Sequence, residues 1–126
     1  MIVHRFFTLV HRGDYENAYK CFSESVKQDL PFSRFREGAQ DVKYLKILSI
    51  QVLDEEENLL KMKITSKVNL VYKQNLYEAV YVGKVDIYNE EGQWRLITVD
   101  LTAKSQKLLK KGSKEEKLKG LDFGTN

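Results

Sequence analysis

Residues 60–70 limit the fold of this chain more than any other stretch. Apart from Ser66 every even position there is apolar, and the odd positions are Lys61, Lys63, Thr65, Lys67 and Asn69. A period of two belongs to a strand with one dry face and one wet face, because successive side chains leave a strand on opposite sides. Residues 77–87 repeat the pattern after a short polar break. From Tyr44 to Leu101 the chain reads as four strands, about 44–53, 59–72, 76–88 and 93–101. The connections between them are short and polar, as in hairpins, so the expected sheet is an antiparallel meander.

Strand length adds a constraint. The second and third strands run to about 13 residues, roughly 40 Å at 3.3 Å per residue. A compact chain of 126 residues has a diameter of about 36 Å. Straight strands would overhang it, so the sheet is expected to bend, at Gly83 and at a bulge near Ser66. A curled sheet of this kind makes a cone with an interior.

The material for that interior precedes the sheet. Ile2, Phe6, Leu9 and Val10 share one face of a first helix, which Gly13 stops. Asp14 is a good cap for a second helix carrying Tyr15, Ala18, Tyr19, Phe22 and Val26 on one face. Leu30-Pro31 breaks the chain, and a third short helix with Phe32 and Phe35 extends to about Gln40. Helices first and strands afterwards give an α+β order: three N-terminal helices packed in the concave face of a curved four-stranded antiparallel meander.

The net charge of +3 is concentrated at one end. Residues 103–126 hold seven lysines against Glu115, Glu116 and Asp122, a balance of +4, which leaves 14 basic and 15 acidic side chains on the rest. The body is nearly neutral and offers no basic face, so no nucleic-acid partner is expected. The division is therefore a domain over 1–102 and a basic, Lys-rich tail over 103–126, solvated or formed into a polar helix over 104–119. No apolar run reaches the roughly 20 residues of a membrane helix. Residues 1–6 lack the layout of a signal peptide, so the chain reads as cytoplasmic. A chain from which a leader or anchor had been removed, placing it at the cell envelope, would read the same. Cys21 is alone, lies between aromatic residues, and reads as a small buried hydrophobe.

The last strand allows two facings. If Trp94 and Leu96 face inward, Asp100 does too; if Ile97 and Val99 face inward, Asp100 is a surface acid, the favoured reading because an unpaired buried Asp is uncommon. Apolar residues also occur at both parities elsewhere: Leu45 and Ile47 against Leu48 and Ile50, and Val80 and Val82 against Tyr77, Ala79 and Tyr81. That mixture suggests a convex sheet face covered by a second copy, hence a homodimer.

The helix with Phe6-Phe7, the entry Gly13-Asp14-Tyr15-Glu16-Asn17-Ala18-Tyr19, Phe22-Ser23, Phe35 and Gly92-Gln93-Trp94-Arg95 together resemble the nuclear transport factor 2-like superfamily, also called SnoaL-like or ketosteroid-isomerase-like. The likeness spans about 2–102, and a cystatin-like sheet on a single helix is its structural rival. Members of that superfamily place a pocket between helices and sheet; some are cofactor-free isomerases or dehydratases and others are binding or assembly modules. The resemblance implies Phe7, Tyr19, Phe22, Phe35, Met62, Tyr81 and Trp94 as pocket-lining residues, and Tyr19 and Asp100 as weak acid-base candidates. The same rings would equally fill a packed core. His4 and His11 have no carboxylate spaced to orient them, so neither a metal nor a cofactor is implied. The expectation is a non-catalytic module acting through a sheet-mediated dimer or a protein partner; a small enzyme with an apolar ligand is the alternative.

Overall fold

A computed structural model describes residues 1–125. Four helices, α1 (Ile2–His11), α2 (Tyr15–Tyr19), α3 (Glu24–Asp29) and α4 (Phe32–Ala39), precede four strands, β1 (Val42–Glu55), β2 (Leu59–Tyr72), β3 (Asn75–Glu90) and β4 (Gln93–Lys110). The strands form one antiparallel sheet in the order β1-β2-β3-β4. The fold is α+β, and the expected meander is present.

The helical part differs from expectation in one respect. The anticipated second helix is two, because the chain leaves the helix at Cys21–Ser23 to bond the sheet. The Ser23 N–H donates to the Leu96 carbonyl at 2.9 Å, and the Leu96 N–H to that of Cys21 at 2.8 Å. Ser23 then caps α3, its Oγ accepting from the Val26 N–H at 3.3 Å. Gly13 ends α1 at φ +76°, a conformation that costs other residues about 1–2 kcal/mol. Asp14 caps α2 by accepting from both nitrogens of Asn17.

The central hairpin is regular: β2 and β3 stay in register from Leu59 opposite Tyr88 to Tyr72 opposite Asn75. The bulge expected near Ser66 is therefore absent, and Ser66 sits fully buried with its Oγ 3.4 Å from the Tyr81 carbonyl. The irregularities fall in the outer strands instead. β1 slips its register at Lys43, Leu48 and Leu53, and β4 slips against β3 at three points, one of them at Ile97. Each extra residue bends its strand and reverses the facing of the residues beyond it.

Those slips account for the mixed parities of β1 and β4, whereas Val80 and Val82 of β3 lie on the wet face, half-buried opposite Lys67 and Thr65. Leu45 and Ile47 face Val68 and Ser66; past the slip at Leu48, it is Ile50 that faces Ile64. In β4, Leu96 is buried before the slip and Val99 and Leu101 after it. The strand therefore changes facing at Ile97: Leu96 points inward before it and Val99 after it, and Asp100 is exposed. The apolar residues at both parities of these strands mark bulges in one dry face, so they give no second dry face for a partner to cover.

The expected bend at Gly83 has a direct sign. A Cβ built there would lie 2.0 Å from the Asp100 carbonyl oxygen and 2.8 Å from the Leu101 Cα. In a flat sheet the neighbouring strand lies beside a residue, about 4.8 Å off, and not along its Cα–Cβ direction. β4 therefore folds over β3 at this point.

The C-terminal segment departs most from expectation. Residues 104–110, expected within a tail and able to form a polar helix, continue β4 opposite Leu76–Val80. The chain then returns antiparallel to β4. Leu101 and Leu121 exchange backbone bonds of 3.0 and 2.8 Å. Asn75 holds the turn, its Oδ1 accepting from the Gly112 and Ser113 N–H groups at 2.8 Å and its amide donating to the Lys114 carbonyl. The Tyr77 hydroxyl accepts from the Glu116 N–H at 2.8 Å, and Gln106 bonds both Glu116 and Leu118. Leu118, Leu121 and Phe123 are buried while Lys119 between them is exposed. The tail is a strap that closes the fold.

Candidate functional site

The space between helices and sheet is where a pocket is expected. It is occupied by rings. Phe6 stands edge-on to Phe22 at 5.3 Å and to Phe123 at 5.2 Å, and Phe35 meets Phe22 at 5.4 Å and Phe123 at 6.3 Å. Tyr19 and Phe32 extend the cluster at 5.4 Å. Such edge-to-face pairs add roughly 0.5–1.5 kcal/mol each beyond the area they bury. Phe6, Phe7, Phe22, Phe35 and Phe123 are all 2% exposed or less, so water does not reach the centre.

Of the seven residues expected to line a pocket, Phe7, Phe22, Phe35, Met62 and Tyr81 are buried and Tyr19 is half-buried. Trp94 shares the parity of Leu96 but lies at the hairpin end of β4, 37% exposed. It is outside the interior, and its expected place there is corrected by the length of the strand, which carries it past the helices. Trp94→Ala is accordingly expected to cost about 1 kcal/mol or less in a denaturant titration; a loss of about 3 kcal/mol would put the indole in the core.

The two acid-base candidates are not brought together. The Tyr19 hydroxyl donates to the Leu30 carbonyl at 2.6 Å, which ties α2 to the end of α3. Asp100 is exposed on the opposite face of the sheet from Val99 and Leu101. General acid-base work needs groups within reach of one reacting atom, and this pair lacks that. Asp86, expected on the wet face, stands opposite Lys61 and Thr98 and is only 8% exposed. One of its carboxylate oxygens is buried without a hydrogen bond.

Two clefts touch the expected pocket residues. One of about 390 Å³ lies between the strap and the sheet, lined by Asp41, Tyr72, Tyr81, Leu118 and Phe123 among others. Two of its polar groups are engaged within the chain: the Tyr81 hydroxyl donates to the Lys119 carbonyl at 3.1 Å, and the Lys119 ammonium sits 5.5 Å over the Tyr72 ring. Burial pushes the Tyr81 hydroxyl up to about 12, with Tyr72 adding to the effect, so it stays protonated and a donor at neutral pH. A groove of about 210 Å³ runs between α1 and β1 past His4, Phe7 and Lys46.

Cys21 is buried, its thiol 3.6 Å from the Asn17 carbonyl. Burial pushes this thiol up, while Arg5 and Arg95 pull it down. The net direction is that of an inert thiol rather than a nucleophile. His4 and His11 are exposed, and the His11 Nδ1 accepts the Leu45 N–H at 3.2 Å, so this side chain closes the end of α1 onto β1. Among the described residues no three His, Cys, Asp or Glu side chains come together as metal ligands. No helix there is long and apolar enough to cross a membrane.

Phe123 joins the interior from a stretch whose composition suggests only a solvated tail. Its signal is faint but present: Leu118, Leu121 and Phe123, with Gly120 and Gly124, interrupt an otherwise charged run. No protein-family model matches the chain, and a search of curated proteins finds none similar to it.

Proposed function

We propose that this chain is a non-catalytic binding or assembly module of nuclear transport factor 2-like fold, working through contact with a second copy or another protein. The observation that carries this reading is the filled interior, where Phe6, Phe22 and Phe35 close on Phe123 from the chain's own strap. An enzyme of the alternative type needs a dry cavity of a few hundred Å³ with an ionisable group at its wall. Here that volume holds phenyl rings, and the two acid-base candidates lie apart. The helices packed on one side of a folded four-stranded meander support the fold assignment.

Native mass spectrometry of the purified full chain provides the test. Bare chain, alone or in small whole-number multiples, is the expected result. An apolar molecule retained at one per chain, and still present after extensive dialysis, would overturn the reading in favour of a ligand-binding or catalytic pocket.

A further inference from the structure

The two margins of the sheet are treated differently. β4 is covered along its outer side by Cys21–Ser23 at Leu96, by Leu121 at Leu101, and through Gln106 by Glu116 and Leu118. On β1, His11 takes the Leu45 N–H. Beyond that, among the described residues, no backbone hydrogen bond reaches β1 from outside its ladder with β2. Along Leu45–Ile47 the strand is flanked by α1 across the groove past His4 and Phe7, and from Leu48 on the edge is left open, a template for another strand. It is also apolar: Leu48, Val52 and Leu53 are each more than 50% exposed.

Charge along β1 is polarised. Lys43 and Lys46 occupy its first part, Ile47, Leu48, Ile50, Val52 and Leu53 its middle, and Asp54 and Glu55 its end. Lys46 and Asp54 both lie on the wet face, opposite Lys67 and Lys61 of β2. Among the described residues neither makes an ion pair, and Lys67 is engaged by Glu78 at 3.5 Å. A strand reading basic, apolar, acidic complements itself only when a copy runs antiparallel.

We infer that the open edge of β1 docks a second copy of this chain, paired antiparallel about Ile50. Counting outward from Ile50, Lys46 of one copy meets Asp54 of the other, on the same face, and Leu48 meets Val52. The two-fold axis repeats each contact. The slips at Leu48 and Leu53 limit the regular run around Ile50 to Ser49–Val52, so the shared ladder is short and the dimer reversible. The inference rests on the reading of the chain as a module that acts by protein contact, and it names the partner and the strand.

Sedimentation velocity of the full chain, from about 1 μM to about 1 mM, spans the range of weak specific association. A monomer–dimer equilibrium is the expected result. Lys46→Glu and Asp54→Lys should each raise the dissociation constant about tenfold, because each substitution sets like charges at two symmetry-related contacts. The double variant K46E/D54K, with the charges exchanged, should return to within about threefold of the wild type. Both side chains are exposed, and circular dichroism confirms that the variants are folded. A chain still monomeric near 1 mM overturns the inference. So does a dimer indifferent to both reversals, or one that the double variant fails to restore. Those failures are distinct from failure of the module reading, which a retained small molecule would reveal whether or not the chain dimerises.

Discussion

Phe123→Ala is expected to lower the unfolding free energy by about 3–5 kcal/mol, the range for emptying a buried phenyl site. The ring is 1% exposed and meets Phe6 edge-on at 5.2 Å, so its removal leaves a hole that neighbouring rings cannot close without leaving their own partners. The backbone adds nothing to that difference. Phe123 holds φ at +54°, and Gly124 comes next at +84°. An L-residue in that region is strained by about 1–2 kcal/mol. Phenylalanine and alanine bear that strain alike, so it cancels and the packing alone is lost. Denaturant titration measures that loss, and a value below about 1 kcal/mol would mean that the strap only rests on the fold. The vacated site should stay dry and take up benzene or xenon, as apolar cavities of this kind do, which would restore part of the stability.

Gly83→Ala should be as damaging for a different reason. Gly83 lies outside the left-handed region, so no backbone strain is involved. The obstacle is contact: the new methyl would sit 2.0 Å from the Asp100 carbonyl oxygen. That oxygen belongs to backbone and cannot rotate away, so β3 and β4 must part at the middle of the sheet. Overpacking costs about 1–3 kcal/mol where side chains can yield; here about 3 kcal/mol or more is expected. Gly92→Ala is the control. Gly92 has φ +87° and open space around it, so alanine there should cost only about 1–2 kcal/mol from conformation. Equal melting curves for the two variants would show that β4 can move off β3 freely.

The legible parts of the sequence are those governed by local physics. The alternation of residues 60–70 and 77–87 survives because β2 and β3 pair without a slip, so parity and burial agree except at Asp86, which is buried among wet-face positions. The stops and caps at Gly13, Asp14 and Pro31 are legible because a φ angle or a short side chain sets them. β1 and β4 mislead because a slip is invisible in a residue pattern: one extra residue at Leu48 or Ile97 turns one dry face into two apparent ones. The expectation of a covered convex face comes from that ambiguity. Residues 104–110 mislead because their lysines satisfy a solvated helix as well as a strand edge. Pairing with β3 decides between them, and pairing is a tertiary fact. Phe123 leaves only a faint signal for the same reason: the rings it meets, Phe6 and Phe35, lie at the other end of the chain.

The unequal margins also set a limit on growth. Strand-by-strand stacking into fibres requires two free sides on every molecule, one to receive and one to offer. This chain has sealed one side with its own last residues. A second copy docked on the other side would present only its own sealed margin, so growth by identical copies would stop at the pair.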